Sequence, residues 1–541
     1  MDESKENSNH HEGDNAARNN PENPGVSVGL SPVDDMLRAA EEAALHEKEM
    51  SIRTAIKAYP KAIAFSMIVS LCLIMEGYDT ALVDAFFSLP QFRERFGERL
   101  ENGDYQITAS WMSGLKTGVQ VGQILGLMAA GVIAERYGYK KTILGSLLLL
   151  IGFIFIFFFA SHIAMLFIAG VLCAFQTLTT TYAADVTPIP LRPVLTTYVN
   201  MCWVMGQLLS SGVLRGLIDR HDNWAWRIPY AIQWAFPPPI IIGVLLAPES
   251  PTWLVRKGRL EDAKKALRQL ASGRSEDDIN NTVAMLVYTD QMEKESVEGV
   301  SYLDCFRGTN LRRTEIACMV WAAQVLCGIW FGGNVIYFLQ QAGFDPARSF
   351  DFGIGTQALA LAGTIGAWFL LPHVGRRRLY LVGLSVMLAV LMAVGFMGIP
   401  ARMDSIGWAS GALMMVFVVT YDLTVGPVCY CLVAEIPSTR LRIKTAVLAR
   451  NTYNIISIGA NFLNAPILNP GAWNLRGKGG FIWAGPCAIV LVWTFFRLPE
   501  TKGRAISELD TLFERRVSTR DFAKTEVTMF EQSQNEKLGV E

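Results

Sequence analysis

The chain has 541 residues, 51% of them hydrophobic and 18% charged, which is too apolar for a soluble chain of that length. Its net charge of −1 offers no basic excess to hold nucleic acid. Nine cysteines, most of them inside apolar runs and without paired spacing, read as core thiols, and six scattered histidines make neither a zinc site nor a catalytic triad.

Residues 1–57 form a cytosolic N-terminal region. Its first fifty residues are rich in Asn, Glu and Asp and cannot bury enough surface to fold alone, while 33–57 has the pattern of an amphipathic helix. No basic segment precedes a short apolar one, so no cleaved signal peptide is expected. The first apolar stretch, Ala62–Val83, has about the 20 residues a helix needs to cross a bilayer. Its second half carries Glu76 and Asp79, three residues apart and therefore on one helical face. A carboxylate at the bilayer centre costs roughly 2.5–3.5 kcal/mol on insertion scales, so the pair should face a wet cavity or a partner inside a bundle. The alternative is that both lie solvated at the extracellular end.

Eleven further apolar spans follow, at roughly 108–134, 142–160, 164–186, 194–218, 229–247, 316–340, 352–373, 378–399, 410–434, 445–466 and 480–497. The expected architecture is an all-α membrane protein of twelve transmembrane helices in two six-helix halves, 58–247 and 316–498. A charged helical linker (248–315) separates the halves, and a cytosolic tail (499–541) closes the chain. Lys and Arg concentrate in the loops after spans 2, 4, 6, 8 and 10 (ERYGYKK, PIPLR, LVRKGR, GRRR, STRLRIK), which places both termini in the cytosol.

The halves echo each other. Asp185 and Arg192 after span 4 match Glu435 and Arg442 after span 10, each an acid, six residues, then Arg. Pro248-Glu249-Ser250-Pro251 matches Pro499-Glu500-Thr501, and Gly138-Tyr139-Lys140-Lys141 matches Gly375-Arg376-Arg377-Arg378 more faintly. Three echoes at corresponding places indicate a duplicated six-helix unit with a substrate site between the copies.

Gly131, Glu135, Arg136, Gly138 and Lys140-Lys141, with PESPTW (248–253), Arg227-Ile228-Pro229-Tyr230, the two acid–Arg pairs and PETKG (499–503), resemble the sugar-porter branch of the major facilitator superfamily. GYDTALV (77–83), FQTLTTTYA (175–183), LTTYVNMCWVMGQL (195–208) and GPVCYCLVAEIPSTRLRIKT (426–445) are similar to fungal α-glucoside, maltose-type proton symporters. The resemblance spans about 60–505. It implies the major facilitator fold, alternating access and inward movement of a di- or trisaccharide with protons across the plasma membrane. Sugar, protons and lipid are then the partners, the carrier is a monomer, and neither nucleic acid nor a cofactor takes part.

Glu135, Arg136, Asp185, Arg192, Glu249, Glu435, Arg442 and Glu500 fall at cytosolic helix ends, where charge pairs can close the inner face in one state and release it in the other; otherwise they are positive-inside anchors. A sugar site wants amides that both donate and accept, beside aromatic plates. Gln207, Gln324, Asp422, Asn451 and Asn454 lie within spans, and Tyr430 and Trp330 could stack; the alternative for the polar ones is interhelical glue. The resemblance aligns Gln207, Gln324 and Asp422 with sugar-contacting positions of sugar porters, and Asn454 less securely. For proton coupling Asp79 is the first choice and Glu76 the second, with Arg450 as the neighbouring cation that the α-glucoside symporters also resemble.

Four features depart from that pattern. Gln123 stands where the symporters place a glutamate, and a neutral amide cannot carry a proton. The fourth span reads about a turn short. Asp84 replaces a small residue. Thr252 follows PESP, and span 8 ends in Pro372-His373 rather than an acid–Arg pair. These leave two alternatives to a proton-coupled α-glucoside carrier: a non-transporting sugar sensor on the same fold, and an uncoupled or hexose-selective carrier. An enzyme is not expected, since no nucleophile–base pair or nucleotide-binding loop occurs.

Overall fold

The computed structural model describes residues 54, 57–100, 103–173, 192–271, 275–297, 301–399, 404–438, 441–502, 504 and 506–525. Asp185, the upstream part of the expected amphipathic segment and the second half of the expected fourth span lie outside them. Among the described residues the fold is helical apart from one small hairpin, β1 (Glu98–Arg99) with β2 (Tyr105–Gln106), paired antiparallel with Glu98 opposite Gln106.

The N-terminal helices are α1 (Pro60–Phe86), α2 (Pro90–Phe96), α3 (Ala109–Tyr137), α4 (Tyr139–Phe158), α5 (Ile163–Cys173), α6 (Arg192–Leu217), α7 (Trp224–Ile232) and α8 (Pro237–Leu246). Pro60, Pro90 and Pro237 open α1, α2 and α8, where the missing N–H is no loss. The linker folds as α9 (Pro251–Arg256), α10 (Leu260–Leu270) and α11 (Glu276–Val297). Ser250 caps α9 by accepting from the Trp253 N–H at 3.2 Å. Leu254, Val255, Ala263 and Ala266 give these helices a small core of their own. Arg268, bonded to Glu276 at 2.7 and 2.8 Å, holds that carboxyl below its ordinary range.

The C-terminal helices are α12 (Gly308–Leu326), α13 (Ile329–Gly332), α14 (Val335–Gln341), α15 (Pro346–His373), α16 (Arg376–Met397), α17 (Asp404–Leu423), α18 (Val425–Glu435), α19 (Arg442–Leu468) and α20 (Gly479–Arg497), followed by α21 (Ile506–Glu514). The tail is tied down: Arg313 pairs with Asp510, and Arg312 donates to the Val517 carbonyl at 2.9 Å while its guanidinium lies over the Phe513 and Phe522 rings.

Among the described residues nine helical segments are long and apolar enough to cross a bilayer. α6 and α19, of 26 and 27 residues, have the length for it, and polar residues thin their apolar character. Leu246, Phe369 and Ile489 are about 70% exposed, which suits a surface wetted by lipid rather than water.

Three of these segments are broken near mid-depth, and the breaks position the site. Gly328, at φ 92, separates α12 from α13, a left-handed conformation that glycine adopts without strain. Thr424 interrupts α17 and α18 just before Gly426-Pro427. A 3₁₀ turn, Gln233–Ala235, precedes the Pro237-Pro238-Pro239 start of α8. Non-helical backbone at this depth is tolerated where it is buried in protein or lines a cavity.

Candidate functional site

A cavity of about 230 Å³ lies where the N-terminal and C-terminal helices meet. α1 contributes Thr80 and Asp84, with Ser88 just beyond its end; α3 contributes Gln120 and Gln123; α6 contributes Asn200, Trp203 and Gln207. From the other side come Gln324 and Trp330 at the α12–α13 break, Gln357 on α15, Tyr421 and Asp422 on α17, Tyr430 on α18, and Arg450 and Tyr453 on α19. Five of the seven expected sugar residues therefore share one wall space: Gln207, Gln324, Asp422, Tyr430 and Trp330. Asn451 and Asn454 stand on α19 off that wall, and Asn454 is fully buried among helices.

Gln324 donates to the Gly426 carbonyl at 3.1 Å, tying the two broken helices together. Asn200 reaches Thr364 on α15 at 3.4 Å and sits beside Asp422. Four buried polar atoms of the wall, Ser88 Oγ, Gln120 Oε1, Gln357 Oε1 and Trp330 Nε1, have neither a hydrogen-bond nor an ion-pair partner among the described residues. Each such group costs about 1–3 kcal/mol until something satisfies it, which a hydroxyl-rich ligand can do.

Glu76 and Asp79 of α1 sit behind this wall rather than on it, each bonded to an amide of another part of the bundle. Glu76 accepts from Gln123 Nε2 at 3.2 Å and lies in the field of Arg450 and Asp79. Asp79 accepts from Gln233 Nε2 at 2.8 Å, from the 3₁₀ turn before α8. α1 is held there by a close crossing with α6, where a Cβ on Gly206 would lie 2.6 Å from the Tyr78 nitrogen. Arg450 forms no ion pair among the described residues. Its guanidinium stacks on Trp321 at 4.7 Å and Tyr453 at 4.9 Å, and Trp321 meets Tyr430 edge-on at 5.3 Å. Aromatic faces attract a guanidinium through the ring quadrupole, so cation–π contact stands here in place of a bound acid.

Asp84, which the sequence left unexplained, lines the cavity and pairs with Lys116 of α3. Sequence reasoning missed Lys116, Gln233, Asn200, Gln120 and Gln357. Lys116 is an ionisable residue inside an apolar span, so the rule that selected Glu76 and Asp79 would have found it.

The charged residues at the linker end pair differently from expectation. Glu249 accepts from the Tyr139 and Lys140 N–H groups at 3.1 and 3.2 Å, capping α4. Glu500 does the same for α16, accepting from Arg376 and Arg377 at 2.8 and 3.2 Å. Glu435 is held by Arg376 at 3.0 Å and Thr501 at 2.5 Å, not by Arg442. Glu135 and Arg136 are exposed and form no ion pair among the described residues; Arg136 lies over Tyr137 and the Glu135 carbonyl accepts from Trp253. The described part of Arg192 is its backbone at the start of α6.

At the opposite end, beside the hairpin, the N- and C-terminal helices bond directly to each other. Ser113 donates to the Asn461 carbonyl at 3.2 Å, Asn469 to the Ile107 carbonyl at 2.7 Å, Gln106 meets the Tyr337 hydroxyl, and Arg215 pairs with Asp351 at 2.6 Å.

The family profile "Sugar (and other) transporter" matches residues 65–513. A maltose permease of Saccharomyces cerevisiae is 38% identical over 512 residues, covering 92% of this chain and 83% of the relative. An alpha-glucosides permease of the same yeast is 39% identical over 515 residues, covering 93% and 85%. Among solved structures, the inward-open xylose transporter XylE of E. coli superposes with a TM-score of 0.65 at 20% identity, over 83% of this chain and 99% of the other. The same proton:xylose symporter bound to 6-bromo-6-deoxy-D-glucose gives 0.64 at 19%, over 84% and 99%. At these identities the structures establish the shared major facilitator fold.

Proposed function

Because the chain belongs to the sugar transporter family, and so is a multi-pass membrane porter of the major facilitator fold that moves sugar, we propose that it takes up an α-glucoside together with protons. The carrying observation is the cavity between the N- and C-terminal helices, whose wall combines amides, the carboxylates Asp84 and Asp422, and indole and phenol rings while Glu76 and Asp79 stand directly behind it. Amides and Asp422 supply donors and acceptors for hydroxyls, and Trp330 and Tyr430 supply apolar faces for a ring. Relatives named for maltose and α-glucosides support the substrate class.

Twelve crossings in two six-helix halves, 58–247 and 316–498, form the carrier. The linker, the tail and both termini face the cytosol of a plasma-membrane protein, following the basic loops at the linker end. Asp79 takes a proton from outside, sugar binds, and the halves rock about the seam; Arg450 and Glu76 return the site to its unloaded state by exchanging electrostatic partners. Gln123 favours a second reading, an uncoupled carrier, since it puts a neutral amide against Glu76. Maltose uptake into a cell stripped of its own carriers, followed with external pH, separates the two. Uptake with alkalinisation supports coupling, uptake without it supports the uncoupled carrier, and binding without uptake defeats both.

A further inference from the structure

Asp84 and Lys116 form a second polar rung between α1 and α3, about two turns along each helix from the Glu76–Gln123 rung. The Lys116 ammonium also lies 5.6 Å from the Trp330 ring centre, across the seam on a C-terminal helix. Asp84 faces the main cavity, and Lys116 faces a small adjoining hollow of about 10 Å³; the two spaces share Asn334 and Tyr337. Asn461 lines that hollow, is 2% exposed, and has neither amide atom hydrogen-bonded among the described residues. The Lys116 and Asp84 side chains are only 13% and 32% exposed, and a buried pair carries a desolvation cost that its mutual attraction often fails to repay, so stability alone gives the charges no purpose here.

We propose that Asp84, Lys116 and Asn461, with the Trp330 ring, form a subsite for the outer sugar ring of an oligosaccharide, separate from the amide wall of Gln207 and Gln324. This rests on the α-glucoside reading above. A neutral polyol suits the group: the ammonium donates to ring oxygens, the carboxylate accepts from hydroxyls, and charge-assisted hydrogen bonds are roughly twice as strong as neutral ones. The unpaired Asn461 amide then gains both of its partners, and the indole face cedes its cation to a C–H face of the ring. The hollow admits no ring while the hairpin end is closed, because Ser113 is bonded to Asn461 there. The subsite therefore opens with that end, and the outer ring is the first part of the sugar to be held.

The test uses the full-length protein in lipid nanodiscs, titrated calorimetrically with maltose, which has two rings, and with methyl α-D-glucopyranoside, which has one. Asp84→Asn and Lys116→Gln each weaken maltose binding about tenfold, equivalent to about 1.4 kcal/mol. Both leave methyl glucoside within about twofold, which also certifies folding, and the double variant is little worse than either single one because the two residues act as a unit. Equal losses for both ligands, or unchanged maltose affinity, would overturn the subsite. A wild-type protein that binds methyl glucoside and maltose alike, with no gain from the second ring, overturns it too. One that binds neither overturns the α-glucoside reading beneath it.

Discussion

Asp79 has one described side-chain partner, the Gln233 amide, whereas Glu76 is shared between Gln123 and the field of Arg450. Asparagine at 79 can still accept from Gln233, so Asp79→Asn removes the ionisable group and leaves the contact. Accumulation of labelled maltose against a gradient is expected to disappear while exchange across equal concentrations persists; accumulation that survived would remove Asp79 from the coupling. Leu at Gln233 is the complementary change, leaving the carboxylate buried without its donor, a loss of about 1–3 kcal/mol seen as a lower unfolding temperature. That Glu76 and Asp79 carry charge inside the bundle was legible from the apolar run around them, although Lys116, open to the same rule, was passed over. Which of them pair was not, because Gln233 and Asp79 are 154 positions apart and meet only through the crossing of helices. Asn451 and Asn454 show the same limit: an amide in a span is visible in sequence, but its rotation about the helix axis decides between wall and interior.

The glutamates of PESP and PETKG explain a repeat that sequence could register but not interpret. Each closes the start of the helix following a Gly–basic loop, placing a negative charge at its positive end. The glycines beforehand make room: a Cβ on Gly138 would sit 3.0 Å from the Glu249 carboxyl carbon, and one on Gly375 would sit 2.5 Å from that of Glu500. Glu249→Gln and Glu500→Gln are each expected to cost about 0.3–1 kcal/mol in thermal unfolding of the solubilised protein, and to add, since the sites are far apart. Gly138 carries φ 96 as well, whereas Gly375 has φ −65. Gly138→Ala should therefore lower the unfolding temperature more than Gly375→Ala does. The reverse order would mean that crowding of the glutamate, not backbone conformation, selects glycine here. Helix breaks were harder to read than helix spans: Gly328 and Gly426-Pro427 lie inside uninterrupted apolar runs, and hydropathy does not register a change of backbone direction.

For the whole molecule, the hydrogen bonds joining the N- and C-terminal helices gather at the hairpin end, Asn200 to Thr364 at the cavity apart, while Glu249, Glu435 and Glu500 at the linker end pair within their own group of helices. An alternating-access carrier must break the first set to admit sugar from that side. Arg215 and Asp351 are the exposed members of the set, 2.6 Å apart and on opposite sides of the seam. With cysteines at both positions, a short bifunctional thiol reagent would join the two groups of helices where they have to separate. The nine native cysteines are buried or half-buried, which directs the reagent to the introduced pair. Uptake of labelled maltose should stop on cross-linking, return on cleavage of a reducible linker, and persist in either single-cysteine protein treated alike. Arg215→Ala alone, which removes one exposed and solvent-screened pair, should leave uptake within a few-fold of wild type. Transport that continued through the cross-linked protein would mean that sugar enters without parting α6 from α15, and rigid rocking of the halves would have to be replaced by motion of single helices around a fixed seam.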